Sequence, residues 1–414
     1  MLFIYNLLIE ITILFSRVFS FFSIKIKFFL NEHKKSLKKL NEIKINPKEK
    51  RLLFHCASLG EFEQAKPLIQ KIKSKYPGLK IIISFFSPSG YQIGKNYKFA
   101  DFVCYLPFDS KKNVNLFLKI IKPSMVFLIK YEFWPNYINQ ISKQNIPVFS
   151  ICTRLHENQY IFKPYGNWLF NLIKRINHFF VQNESTKTLL EENGVENNTL
   201  IGDTRMDRVI KTWESKDTFP KIEKFIASRK CFIAGSTWKE DYEVILSKLN
   251  RLNKIKIIIA PHKVDSKSIK TLTSMLNKSY ALYSSLEREI DFKKNILIID
   301  SIGILSKIYK YGSLCYVGGG MGKSGLHNIL EPSIFGLPII IGKNYSKFSE
   351  AKDLINMGGV KSVKNNEEFE ETFEKIINDN SLSSKIGEIN KSYVLKNKGA
   401  TNKIFSAIKQ SLSL

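Results

Sequence analysis

The sequence predicts an α/β protein of two Rossmann-like halves, each a doubly wound parallel sheet, preceded by an apolar N-terminal helix. Three observations predict it. From residue 51 onward, short apolar runs alternate with amphipathic stretches, the rhythm of strand–helix–strand units. A polar, weakly periodic stretch at about 205–228, containing Pro220, interrupts that rhythm once. The first 24 residues are almost wholly apolar and aromatic. With 414 residues and 44% hydrophobic composition, the chain has material for two domains with separate cores.

Residues 1–24 carry only Glu10 and Arg17 as charges, and lack a basic leader and a small-residue cleavage site. That is a poor cleavable signal and a good anchor. The length can span a bilayer, but two charges near the middle are expensive there. They fall near one face of a helix, so a helix lying in the membrane interface competes with a spanning one. A helix packed on the protein's own core is the third reading. Between Lys25 and Arg51, ten Lys/Arg stand against three Glu, a net of +7. This basic juxtamembrane segment, 25–50, would hold the body on an anionic cytoplasmic membrane face.

In the first half, 51–204, apolar runs at 51–57, 80–86, 101–106, 125–131, 147–152, 178–182 and 199–201 read as strands. The stretches 61–76, 109–121, 135–145 and 184–193 read as helices between them. After a linker at 205–228 the second half, 229–414, repeats the pattern, with strands at 231–234, 256–260, 295–300, 314–317 and 337–341. A last helix at about 401–413 has apolar residues at helical spacing. In such folds a terminal helix often crosses back to the first domain. Two Rossmann-like halves joined by a linker make a body of glycosyltransferase-B type, with a cleft between the domains.

The net charge of +27 favours anionic partners: nucleic acid, an acidic membrane, or a phosphorylated substrate. No nucleic-acid-binding motif is visible, so nucleic acid is not an expected partner, and a membrane-tethered nucleic-acid binder is the remote alternative. Five cysteines lie scattered at the ends of apolar runs with no Cys-x-x-Cys pair. Neither a disulfide framework nor a zinc site is suggested, and buried thiols in a reducing compartment are expected.

Ligands of open α/β sheets gather at the carboxyl ends of strands. The run Leu52 to Cys56 ends in small residues and Gly60, and Glu61 then opens a helix. A carboxylate there is placed to act as a general base, or merely complements a helix dipole. Glu132 ends the fourth strand on the same rim and reads as a structural or positioning partner. Ser87, Ser89 and Gly90 end the second strand, and either bind sugar hydroxyls or cap a helix.

In the second half, Tyr316-Val-Gly-Gly-Gly-Met-Gly322 follows a strand, and Ser324 to Glu331 opens a helix. Gly318 and Gly319 thereby offer backbone N–H groups to a phosphate. Asn328 and Glu331 stand three apart, and the carboxylate can accept from both ribose hydroxyls. A generic strand–helix junction is the plainer reading. Ser236 and Thr237 either cap a helix or touch phosphate. His262, after Pro261, either contacts base or phosphate or is a loop histidine. The chain has no P-loop, no Asp-x-Asp and no metal-ligand spacing. No metal or cofactor is expected, and a departing phosphate would rely on helix dipoles and basic side chains.

These residues resemble a family, the 3-deoxy-D-manno-octulosonic acid (Kdo) transferases of lipopolysaccharide assembly. The resemblance rests on the apolar anchor, His55-x-x-Ser-x-Gly-Glu61, Pro88-Ser-Gly90, Glu132-Phe-Trp-Pro-Asn136 and Thr153-Arg-Leu155. It continues through Gln182-Asn-Glu184, Gly202-Asp-Thr-Arg-Met-Asp207, Gly235-Ser-Thr237, Val317-Gly-Gly319 and His327-Asn-Ile-Leu-Glu331. It implies inverting transfer of Kdo from CMP-Kdo to a lipid A precursor, with CMP released, at the cytoplasmic face of the inner membrane. It also implies that Glu61 is the proton acceptor. The CMP site would comprise Pro261, His262, Gly303, Ile304, Leu305, Asn328, Ile329, Leu330 and Glu331. Two departures stand out: Pro261-His-Lys263 where many relatives have Pro-Arg-His, and Ile304 where many have Glu. Another membrane-associated nucleotide-sugar transferase, or an epimerase of the same fold, is the near alternative.

Overall fold

The computed structural model describes residues 1–41 and 49–413. Two seven-stranded sheets, all parallel, form the chain. The first contains β1 (Arg51–Cys56), β2 (Lys80–Phe85), β3 (Phe102–Tyr105), β4 (Met125–Ile129), β5 (Val148–Thr153), β6 (His178–Val181) and β7 (Asn198–Leu200). Its order is β3-β2-β1-β4-β5-β6-β7. The second contains β8 (Cys231–Thr237), β9 (Lys256–Pro261), β10 (Tyr280–Leu282), β11 (Ile296–Ile298), β12 (Leu314–Val317), β13 (Ile339–Gly342) and β14 (Val360–Val363). Its order is β10-β11-β9-β8-β12-β13-β14. The central strands β1, β4, β9 and β12 are buried along their whole length, as a sheet covered on both faces requires. Each sheet therefore has two apolar layers, one per face.

The chain divides into two units, Met1–Asp207 with Lys398–Leu414, and Arg208–Asn397. The expected Rossmann-like halves are both present. The C-terminal helix Ala400–Ser413 belongs with the first unit, although its place in the chain assigned it to the second domain. Its stripe of Ile404, Ile408 and Leu412 completes a core layer of the first sheet. The Asp207 carboxylate fixes its start, accepting from the backbone N–H groups of Gly399 at 2.6 Å and Thr401 at 2.7 Å. The stretch read as a linker, 205–228, is largely helical, over Thr204–Trp213 and Pro220–Ile226.

At the N-terminus, α1 (Leu2–Phe19) is long and apolar enough to cross a membrane, and none of its residues is buried. Tyr5 Oη donates to Asp109 Oδ2 at 2.8 Å, and Asn136 Nδ2 donates to Asn6 Oδ1 at 2.7 Å. The opposite face exposes Phe3, Leu7, Leu14 and Phe15. The basic segment begins as a helix, α2 (Ile24–Asn41). Leu40 enters the first core, and Ser36 Oγ accepts from the Tyr105 N–H at 2.8 Å. The rest of that segment, 42–48, lies outside the described residues.

Candidate functional site

The strand order reverses between β1 and β4 in the first sheet and, beyond the exchanged edge pair β10 and β11, between β8 and β12 in the second. The carboxyl ends of strands flanking such a switch point diverge and leave a crevice. The sequence-predicted residues follow the carboxyl ends of strands at these two places and of their neighbours β2, β9 and β11.

In the first unit, β1 runs into α3 (Leu59–Lys75), with Ser58 at the helix N-cap and Glu61 in the first turn. Glu61 is only 6% exposed. Its Oε2 accepts from the Ala57 N–H at 2.5 Å, and its Oε1 from Ser58 Oγ at 3.2 Å. Burial raises its pKa above the usual carboxylate value. The Glu132 charge adds to the rise, while His55, Lys130 and the Ala57 N–H oppose it. Glu61 thus does help cap the helix, and it is also held as a poorly solvated carboxylate of increased basicity.

Glu132 follows β4 across the switch point. Its Oε2 accepts from Trp134 Nε1 at 3.0 Å and lies 3.7 Å from His55 Nε2. His55 Nδ1 in turn is 3.0 Å from Ser84 Oγ at the end of β2. The structure therefore brings Glu61, Glu132 and His55 into one electrostatic group. Lys130, between β4 and Glu132, has φ +63°, a strained backbone region for a residue with a side chain. Ser87 caps the helix Pro88–Gly94, with its Oγ accepting from the Gly90 N–H at 3.3 Å and lying 3.1 Å from Ser89 Oγ. Gly90 packs so near Ser58 that a β-carbon there would stand 3.2 Å from the Ser58 carbonyl carbon. The absence of a side chain lets this helix start abut the Glu61 turn.

In the second unit, Ser236 has φ +54° and is the bulged residue at the register shift between Gly235 and Thr237 of β8. The Gly318 N–H donates to the Gly235 carbonyl and the Gly319 N–H to Asp241 Oδ2, both at 2.9 Å. These two amides, read as phosphate donors, are therefore already engaged within the protein. Asp241 is fully buried and also accepts from the Trp238 N–H and Tyr316 Oη, each at 2.8 Å. Sequence reasoning missed it; an Asp three residues after Trp238, at the third position of a helix, was the available signal.

His262, after β9, stacks over Trp238, with ring centroids 4.6 Å apart, and over His327, at 4.3 Å, two rings that lie within 6° of one plane. Trp238 Nε1 donates to His327 Nε2 at 2.8 Å. Burial lowers both imidazole pKa values, that of His327 to about 4. His262 is therefore neutral at physiological pH and is no loose loop histidine. Lys263, with its ammonium 5.4 Å from the Trp238 ring, is the cation beside the stack.

Gly303 (φ +95°), Ile304 and Leu305 open the short helix Leu305–Ile308 after β11. The helix expected from Ser324 starts only at Leu330 and ends at Ile334, after an irregular stretch through Gly325 at φ +83°. Asn328 Oδ1 accepts from the Leu330 N–H at 3.1 Å, and its Nδ2 donates to Glu331 Oε1 at 3.3 Å. Arg208, unforeseen from the sequence, donates to the same oxygen at 2.7 Å. Ile329 and Leu330 are buried, with their side chains in or under the core layer.

The family model for 3-deoxy-D-manno-octulosonic-acid transferase (kdotransferase) matches residues 31–208. A bifunctional glycosyltransferase/methyltransferase of Fusobacterium nucleatum is 30% identical over 397 residues, which are 92% of this chain. The chain spans only 60% of that relative's length. A 3-deoxy-D-manno-octulosonic acid transferase of Haemophilus influenzae is 24% identical over 381 residues, 88% of each protein. Among solved structures, the UDP-GlcNAc 2-epimerase of Neisseria meningitidis bound to UDP-GlcNAc superposes with a TM-score of 0.61 at 17% identity. The match covers 87% of this chain and 100% of that one. At such identity the likeness speaks for the fold, the glycosyltransferase-B type.

Proposed function

The chain belongs to the Kdo transferase family, and from that premise we propose that it moves Kdo from CMP-Kdo to a hydroxyl of a lipid A precursor of lipid IVA type, releasing CMP. The observation that carries the reading is Glu61: a buried carboxylate of raised pKa at the switch point of the first sheet. A general base works best when its pKa approaches the operating pH. Glu61 takes the proton of the acceptor hydroxyl as its oxygen attacks the anomeric carbon. The C–O bond to the CMP phosphate breaks with inversion, and the transition state is oxocarbenium-like. Positioning therefore counts as much as base strength. Glu132 and His55 hold the electrostatic setting of the base.

The donor's CMP occupies the carboxyl edge of the second sheet, with ribose hydroxyls at Glu331 and the nucleotide beside His262 and Pro261. Since the histidine stack is neutral, Lys263 supplies positive charge there. The activated sugar arrives with its own leaving group, so the chemistry requires no further cofactor.

The acceptor is an anionic lipid, and α1 with its basic follower α2 keeps the enzyme at the cytoplasmic face of the inner membrane. We read α1 as lying in the interface. Its Tyr5 and Asn6 are bonded to the same unit into which α2 inserts Leu40, so both of its ends stay on one side. Mass analysis of the product made from CMP-Kdo and lipid IVA tests the whole reading. A product heavier by one or more Kdo units is expected. Turnover with UDP-N-acetylglucosamine and none with CMP-Kdo overturns it.

A further inference from the structure

Between α1 and the loop that carries Glu132 lies a pocket of about 270 Å³. Tyr5 of α1, Tyr131, Glu132, Trp134, Tyr160 and Trp168 supply most of its wall. Tyr131 and Tyr160 are about half exposed and form its rim, while Tyr5 and Trp168 pack ring on ring at 5.7 Å. One carboxylate stands among six aromatic rings, Phe133 being the sixth. Glu132 Oε2 is held by Trp134 Nε1, and Glu132 Oε1 makes no hydrogen bond among the described residues.

We propose that this pocket seats one pyranose ring of the membrane-held acceptor, with Glu132 Oε1 accepting a hydrogen bond from a ring hydroxyl. The volume is at the small end of ligand pockets and suits a single ring rather than a disaccharide or an acyl chain. Flat aromatic faces complement the C–H faces of a pyranose, and tyrosine and tryptophan present an apolar body with a polar edge. An acyl chain gains nothing from a carboxylate, which it would leave desolvated and unpaired. Tyr5 of the apolar N-terminal helix is part of its wall, so the occupant is held beside the membrane-facing helix. The pocket also adjoins the reacting centre: Glu61 and Glu132 both act on the Tyr131 hydroxyl, and Glu132 acts on Glu61. An ammonium headgroup would match rings and carboxylate too, but continuity with Glu61 favours the sugar that must present its hydroxyl there. The inference rests on the reading of Glu61 as the base.

The test is equilibrium binding of a phosphorylated glucosamine-disaccharide lipid to the full chain in detergent, with no donor present. Tyr160→Ala and Glu132→Gln should each weaken acceptor binding about tenfold, and Tyr160→Phe, which keeps the ring, should restore it. CMP affinity should not move. Unchanged acceptor affinity in both variants overturns the proposal. So does an unchanged acceptor affinity with reduced binding to phosphatidylethanolamine vesicles, which would make the pocket a headgroup site. If the wild type binds the lipid and the variants do not, yet no Kdo is transferred, the pocket stands and the transferase reading falls. If Kdo is transferred while the variants bind acceptor normally, the transferase reading stands and the pocket falls.

Discussion

Arg208 Nη2 and Glu331 Oε1 are joined at 2.7 Å, and Asn328 Nδ2 reaches the same oxygen at 3.3 Å. One carboxylate oxygen is thereby engaged twice, which fixes the plane of the group and, on the proposed donor reading, leaves Oε2 to accept from a ribose hydroxyl. Arg208→Met should let the carboxylate rotate, raising KM for the donor about tenfold while kcat changes little. The pair is partly exposed, so stability should drop by no more than about 1 kcal/mol. Arg208→Lys should restore only part of the loss, since a flexible ammonium does not hold a planar group in one orientation. Steady-state kinetics with varied CMP-Kdo, beside a melting curve, check both halves.

Glu61→Gln keeps the shape of the helix cap and removes the proposed base. A loss of about 10²–10⁴-fold in kcat is expected, with donor KM nearly unchanged. The acid limb of the wild-type profile should lie above the ordinary glutamate value of 4.5, because burial and the Glu132 charge both raise Glu61. Below that limb Glu61 is protonated and cannot accept a proton. Glu132→Gln removes one of the raising charges and should shift the limb to lower pH. A purely structural Glu132 would leave the limb where it is.

Much of this was legible in the sequence because central parallel strands are buried on both faces and show as unbroken apolar runs. The runs at 80–86 and 256–260 match β2 and β9 almost residue for residue. The edge strands β10 and β14 were not legible: they are short and half exposed, and Lys361 and Ser362 break the apolar pattern of β14. Glu61 stood out because it directly follows a strand and a glycine-bearing turn, and Glu331 because it lies beyond the glycine-rich loop that follows β12. Arg208 did not, because its partner lies 123 positions away. Asp241 sits beside Glu240 at the start of a helix, where acids are commonplace, and only the fold shows it holding the Gly319 amide.

Gly318 is a point where no side chain fits. A β-carbon there would stand 2.5 Å from the Ser236 carbonyl oxygen and 2.7 Å from both Asp241 Oδ2 and Thr237 Cα. Backbone must then move, so Gly318→Ala should cost about 2 kcal/mol or more in urea unfolding. It should also weaken CMP binding, because the displaced atoms belong to β8 and its bulge. Gly78→Ala, with nothing within 4 Å of the added carbon, is the matched control and should be nearly neutral.

The exposed face of α1 should govern membrane partition without governing folding. Leu14 and Phe15 are 60% and 56% exposed. Each loses about 1.5–3 kcal/mol of apolar burial when replaced by a polar residue. Leu14→Lys and Phe15→Lys should each lower binding to vesicles of anionic lipid by about tenfold or more. The melting temperature should stay constant, since neither side chain packs on the first unit. Sedimentation with vesicles reads the first effect and circular dichroism the second.

Asp109 accepts from the Asn136 N–H at 2.9 Å, the Tyr137 N–H at 3.1 Å and Tyr5 Oη at 2.8 Å, yet burial pushes its pKa up to about 7. Its folded pKa thus exceeds the unfolded value of 3.8. Between those two values the native state binds more protons than the unfolded chain. The contribution is therefore fully present below pH 3.8 and is lost as pH rises through about 7. At 1.36 kcal/mol per pKa unit, the whole swing is at most about 4 kcal/mol. Asp109→Asn loses an acceptor and should be less stable at low pH, but it has no titration at this position. The stability advantage of the wild type over Asp109→Asn should shrink steadily from pH 4 to pH 7 in urea unfolding. A difference that stays flat across that range would show that the carboxylate keeps its charge in the folded chain, and that its three hydrogen bonds outweigh its burial.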